Sequence, residues 1–375
     1  MRHFIIQKRI PLSTDFAVSC DFATLQSSRS ARSPYGSGRF SFWGVPVEYA
    51  KPWLSIDEQI DQLVARGIQM DDRDRAAAVL HEVGYYRLTG YLYPFRESES
   101  YLDDDGRARV HVLNKYRSGT RIEHATRLLD FDRRLRLLVL EGVERIEVAF
   151  RMRLGYTLGR YSAFAHEDPS LFVPAFITQR TDGNGEALPS RHGEWLVRVK
   201  ERQDSSDEAF VSHFRNKYED RMPIWALTEI LELGHISRLY AGLRNDIATE
   251  VADSFDVPTK RLMESWIATV NYVRNIAAHH ARLFNRKLVT APKRPGFEVV
   301  PLLAHLTQKD SPKQFGVYNA LAVMAYLVES IHQDGDWAAR VAIHLRNFPS
   351  TEYIDAGSIG IASGWLEEQL WIRRS

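Results

Sequence analysis

Between residues 127 and 153 the apolar positions Leu128, Phe131, Leu135, Val139, Val143, Ile146 and Phe150 recur at spacings of three and four, the period of one buried helix face. The opposite face carries charges of both signs four residues apart, Glu141 with Arg145 and Glu147 with Arg151, a spacing that pairs ions along a helix. Upstream, "KPWLSIDEQIDQLVARG" predicts a helix capped by Ser55, with Glu58 completing a capping box and Ile60, Leu63 and Val64 following at helical spacing. A second helix, "DDRDRAAAVLHEVG", leads into the aromatic stretch "YYRLTGYLYPF", where Pro94 is expected to end regular structure. The Gly- and charge-rich "RTDGNGEALPSRHGE" predicts a long loop. After it come "PIWALTEILELGHISRLYAGL", opened by a proline suited to a helix start, and "PTKRLMESWIATVNYVRNIAAHHARLFNR". Beyond Pro292 and Pro295, "FGVYNALAVMAYLVESI", "DWAARVAIHLRNF" and "GWLEEQLW" read as C-terminal helices. Strand signals are few and no internal repeat is visible, so the expected fold class is all-α, or mainly α.

Composition narrows the reading in three ways. With 49 Lys and Arg against 48 Asp and Glu, no global field draws the chain to nucleic acid, and any such binding has to be local. Residues 116 to 160 hold ten arginines against six acidic residues, a local excess that the whole-chain sum hides. That surface suits phosphate or a solvated network of ion pairs. The single cysteine, Cys20, excludes an intramolecular disulfide framework and a cysteine-rich zinc site, and suits a reducing cytosol. The basic residues Arg2, Lys8 and Arg9 are not followed by an apolar run of signal-peptide length, and the longest uncharged, mostly apolar run, 315 to 328, is shorter than the roughly 20 residues a membrane span requires. A cytoplasmic protein with no membrane partner is expected. Residues 1–45, rich in Ser, Gly and Arg, read as a disordered tail.

The candidate chemistry lies in "YVRNIAAHHARLFNR", residues 272 to 286. Continued as one ideal helix at about 100° per residue, the segment 266 to 286 resolves into two stripes. Trp266, Val270, Val273, Ala277, His280 and Phe284 form an apolar stripe, which predicts His280 as a hydrogen-bonded core or interface histidine. Tyr272, Asn275, His279, Arg282 and Arg286 form a polar stripe, on which the Asn275 amide can orient the His279 ring. A plain surface histidine is the competing reading of His279. Arg274 lies five positions before His279, about 140° around an ideal helix, so the two converge only through a local distortion or across a two-fold dimer. Small Ala277 and Ala278 leave room for a second helix.

"RNIAAH", Arg274 to His279, resembles the Arg-x4-His signature of HEPN domains, helical bundles of which many are metal-independent ribonucleases. The blocks "KPWLSIDEQIDQLVARGI", "YYRLTGYLYPF", "LDFDRRLRLLVLEGVERIEVAFR", "PIWALTEILELGHISRLY" and "VRNIAAHHARLFNR", in that order, resemble the Abi-like (abortive infection, AbiD/AbiF type) family of bacterial phage defence. The resemblance covers roughly 50 to 290. It implies a HEPN-like bundle over residues 116–292, preceded by an N-terminal helical region over 46–115 and followed by a helical extension over 293–375. It also implies an endoribonuclease that cleaves by 2′-hydroxyl attack. Such chemistry needs a base, an acid and positive charge on the phosphorane. Histidine and arginine supply these groups. The roles then fall to His279 as general base or acid, Arg274 as phosphate clamp and Asn275 as positioning residue, with His280 and Tyr272 as possible supports.

Arg282, Arg286 and Arg87 are candidate RNA contacts, Arg87 within a run of tyrosines (Tyr85, Tyr86, Tyr91, Tyr93) that suits either core packing or stacking on bases. No cofactor and no metal are expected: adjacent His279 and His280 point apart and no carboxylate stands at ligand spacing. The acidic set Asp130, Asp132, Glu141, Glu144 and Glu147 alternates with arginines, which favours ion pairing over metal binding. The expected partners are RNA, a second copy of the chain in a homodimer, and an inhibitory RNA or antitoxin. The rival reading is a non-catalytic HEPN-like module that binds RNA or protein.

Overall fold

A computed structural model describes residues 51–308, 312, 316–331 and 335–372, so the expected tail at 1–45, with Cys20, lies outside the described residues. The chain divides into two compact units at residue 122.

In the first unit, α1 (Ile56–Ala65) begins with the expected capping box: the Ser55 side chain accepts from the Glu58 N–H, and the Glu58 carboxylate accepts from the Ser55 N–H at 2.7 Å. Asp72 caps α2 (Arg73–Val83) in the same manner, by accepting from the Arg75 N–H at 2.9 Å. α3 (Tyr85–Leu92) follows directly and runs into a short 3-10 turn at Tyr93–Phe95. Ile60, Leu63, Leu80, Leu88, Leu92 and Phe95 are buried and form the core of this unit. Of the four tyrosines, Tyr91 is buried and Tyr86 is 73% exposed, while Tyr85 donates its hydroxyl to Gln62 and accepts from Arg66. Pro94 does not end regular structure. An antiparallel hairpin follows, β1 (Arg96–Leu102) with β2 (Ala108–Tyr116), and its turn is held by Asp103, which accepts from the Arg107 N–H and from Arg109.

The second unit is built on α4 (Ile122–Gly159), 38 residues long, whose seven expected apolar positions are all buried. The ion pairs Glu141–Arg145 and Glu147–Arg151 form as the spacing predicts. α5 (Pro174–Ile177) precedes the Gly-rich interval, which is not a plain loop but folds as a minimal hairpin, β3 (Arg180–Thr181) with β4 (Ala187–Leu188). Then come α6 (Arg191–Asp204) and α7 (Ala209–Lys217). The stretch read as one helix after Pro223 is two, α8 (Ile224–Ile230) and α9 (Leu233–Gly242), because the chain turns extended at Leu231 and Glu232. α10 (Asn245–Asp253) leads to α11 (Lys260–Ala278), capped by the Thr259 hydroxyl. α12 (Val317–Ile331) is buried along most of its length, as is expected of a helix apolar all round. α13 (Trp337–Arg346) follows. The terminal "GWLEEQLW" forms 3-10 turns at Trp365–Glu367 and Gln369–Trp371 rather than an α-helix.

α11 packs between α9 and α12, and α13 packs on α12. α13 also grips α4: Trp337 donates its indole N–H to the Leu138 carbonyl at 2.9 Å, Arg340 pairs with Glu141, and the His344 ring stacks on Phe131 with centroids 4.2 Å apart. His344 Nε2 lies 2.9 Å from the Phe131 carbonyl, which only accepts, so this nitrogen carries the proton. Gly142 makes the docking of Trp337 possible, since a Cβ there would lie 2.5 Å from the indole ring. The structure is mainly α among the described residues, with only these two small hairpins.

Candidate functional site

α11 buries Met263, Trp266, Ile267, Val270, Val273, Ile276 and Ala277 and ends at Ala278. The expected continuation to residue 286 does not form. His279 is the C-cap (φ −86°, ψ 15°), its N–H donating to the Asn275 carbonyl at 3.1 Å, and His280 turns left-handed at φ 55°. The His280 N–H then donates to the Ala277 carbonyl at 3.1 Å, and the Ala281 N–H donates to the Ile276 carbonyl at 2.9 Å. This pair of bonds is the usual closure of a helix whose next residue is left-handed. Glycine is the common residue there; histidine is among the few others that enter this region with some frequency.

The early stop corrects the two-stripe picture. His280 is exposed, not buried with Trp266 and Phe284, because the left-handed turn swings it off the stripe that an unbroken helix would continue. Phe284 is fully buried all the same, brought inward by the turn rather than by helical periodicity. Arg282 and Arg286 are half-buried and lie off the helix, with Arg286 Nε donating to the Arg282 carbonyl at 2.7 Å. Ala277 is buried within the chain itself, so of the two small residues only half-buried Ala278 retains accessible surface. Arg87 lies exposed on α3, in the other unit.

The remaining candidates sit on the last turns of α11. Asn275 and His279 are exposed one turn apart and joined by the backbone hydrogen bond just described. Arg274, half-buried, donates from Nη1 to the Asn275 amide oxygen at 3.2 Å. Tyr272 is half-buried on the preceding turn. The arrangement presents an imidazole at the rim of the helix end, together with an arginine whose remaining guanidinium N–H groups suit phosphate oxygens.

Asp132 of α4, fully buried, fixes the backbone beyond the histidines. Its carboxylate accepts from the Phe284 N–H at 2.7 Å, from the Leu283 N–H at 3.2 Å and from Arg136 at 2.6 Å. Further on, Trp266 donates its indole N–H to the Lys293 carbonyl and Ser265 accepts from the Lys293 N–H, both at 2.9 Å, tying the following chain back to α11. The His279–His280 turn is therefore strung between anchored points. Sequence reasoning took Asp132 as an ion-pair member, which it is, but missed its hold on residues 283 and 284. The signal was there: Asp132 falls on the apolar row with Ala125, Leu128, Leu135 and Val139, where a lone carboxylate has to find buried partners.

Among the described residues, no three His, Cys, Asp or Glu side chains gather so as to hold a metal ion, and no helix is long and apolar enough to cross a membrane.

Fold and site together define a mainly α-helical protein with an exposed Arg-Asn-x3-His helix end in its larger unit. The model of the Abi-like protein family matches residues 78–285, more than half of the chain and the whole of this helix end, and the chain belongs to that family. No curated protein and no solved structure matches it.

Proposed function

We propose that this Abi-like protein is a metal-independent HEPN-type endoribonuclease that acts in bacterial abortive infection against phage. The observation that carries the reading is the joint placement of Arg274, Asn275 and His279 at the accessible end of α11, on a backbone anchored on both sides. In this chemistry the 2′-oxygen of RNA attacks the adjacent phosphorus after losing its proton to a base. The bond to the 5′-oxygen breaks as that oxygen gains a proton, leaving a 2′,3′-cyclic phosphate and a 5′-hydroxyl. His279 serves as base or acid, Arg274 neutralises charge on the phosphorane, and Asn275 orients its neighbours. One histidine fills one of the two proton-transfer roles. A two-fold homodimer that brings two His279 rings to one phosphate supplies both, and an RNA or antitoxin partner would hold the activity in check.

The test is incubation of the purified protein with total cellular RNA in EDTA. Cleavage with cyclic-phosphate and 5′-hydroxyl ends is expected, lost in His279→Ala and in Arg274→Ala protein that melts like the unsubstituted chain. Mixing those two inactive variants under subunit exchange should restore part of the activity if the centre is shared. Cleavage that stops on metal removal, or that persists in both variants, overturns the assignment; RNA binding without cleavage leaves the non-catalytic module standing.

A further inference from the structure

α6 and α9 pack together in the larger unit and leave an open cleft of about 380 Å3 lined by Arg198, Glu201, Arg202, Ser205 and His235. Arg198 and Arg202 are one helical turn apart, so both guanidinium groups come from one edge of α6. Arg202 is steadied by Nε, which donates to the Ile230 carbonyl at 3.0 Å, leaving its terminal nitrogens available. Arg238, three residues after His235 on α9, stands outside this lining: partial burial and then the charge of Arg198 work against its protonated form, and Glu194 favours it. Among the described residues, no ion pair or hydrogen bond engages the guanidinium of Arg198 or Arg238. The nearby carboxylates are Glu201 in the lining, Glu232 beside His235, and Glu194, which is already paired with Arg180.

Two arginines on one edge of α6, neither in an ion pair with a carboxylate among the described residues, are a recognition surface for an anion that accepts bidentate hydrogen bonds. We infer that this cleft binds the phosphodiester backbone of a single RNA strand. The inference rests on the ribonuclease reading for the identity of the strand, and the fold supplies the link. Gly234, next to His235, faces Asn271 of α11, whose amide nitrogen lies 3.6 Å from where a Gly234 Cβ would stand. Asn271 is one turn before Asn275. A strand held by Arg198 and Arg202 thus runs past the end of α9 toward the Arg274–His279 helix end, and the cleft acts as a grip on nucleotides flanking the scissile one.

The experiment uses fluorescence anisotropy with a labelled single-stranded RNA oligonucleotide, in a His279→Ala background so that the strand stays whole. The expected result is a loss of affinity of about 10- to 100-fold at low salt for Arg198→Ala/Arg202→Ala. The slope of log affinity against log salt should also become shallower by about 1.4, two contacts at roughly 0.7 each. Arg198→Lys/Arg202→Lys should keep the slope while recovering only part of the affinity. Both side chains are exposed, and thermal melts should coincide with the parent. Equal affinity and slope in parent and double-alanine protein would overturn the cleft, as would failure of the parent to bind RNA. The two readings fail separately. Arginine-dependent binding by a protein that never cleaves sinks the nuclease and keeps the cleft; cleavage undisturbed by the double substitution does the reverse.

Discussion

At His280 the backbone takes a φ of 55°, and two side chains of the same kind, adjacent in the chain, acquire different tasks. His279 closes the helix with a negative φ, whereas His280 occupies a left-handed position, where a Cβ is a burden. That burden is on the order of 1 kcal/mol relative to glycine. His280→Gly is therefore expected to raise stability by up to about that amount, read as a higher denaturant midpoint at unchanged slope. A lower midpoint would mean that contacts of the ring outweigh the backbone strain. Arg274, Asn275 and His279 stood out in the sequence as polar groups in an otherwise apolar helix, and they make up the candidate site. The exposure of His280 was not legible. Periodicity extrapolates α geometry, and no glycine stands after Ala278 to mark the stop.

Between elements, the hold of α4 on the chain after α11 rests on one carboxylate. Removing it in Asp132→Ala leaves the Arg136 charge buried without its partner and the Leu283 and Phe284 N–H groups without an acceptor. Breaking a buried pair in this way costs roughly 3–5 kcal/mol. Chemical denaturation should show a loss of that size, and the double variant Asp132→Ala/Arg136→Met should lose less than the sum of the single changes. Additive losses would show that the pair does not act as a unit. The same scale shows what sequence patterns reveal about elements. The buried face of α4 was plain because seven apolar residues keep one period. The β1–β2 hairpin was not, since "RESESYL" is mostly exposed and lacks the alternation of a half-buried strand. The division of α8 from α9 was hidden by apolar residues on both sides of the break, where Leu231 is itself buried.

For the whole molecule, buried histidines set a limit on acid stability. Burial, foremost, pushes His166 down to about 4, with the nearby charge of Arg221 adding to it; burial likewise pushes His305, which lies against the Tyr318 hydroxyl, down to about 4. An unfolded histidine titrates near 6.5. Below that value the unfolded chain takes up protons that the folded chain refuses, so stability is whole above pH 6.5 and falls as pH drops toward 4. Each ring contributes a loss of roughly 1.4 kcal/mol by pH 5.5. Melting temperature should decline between pH 7.5 and 5.5, less steeply in His166→Gln protein; a flat profile would contradict the burial of uncharged rings. Overall charge, balanced at 49 to 48, gave no hint of this, nor of the arginines that the fold collects between α6 and α9. The grip of α13 on α4 carries a consequence of another kind. Family likeness stops at residue 285, yet Trp337, Arg340 and His344 close the face of α4 from beyond it, and the likeness begins at residue 78, partway through α2. The span that matches the family and the span that packs on the longest helix therefore have different borders in this chain, and cutting it back to the matched residues would uncover the face of α4 that Trp337 and His344 close.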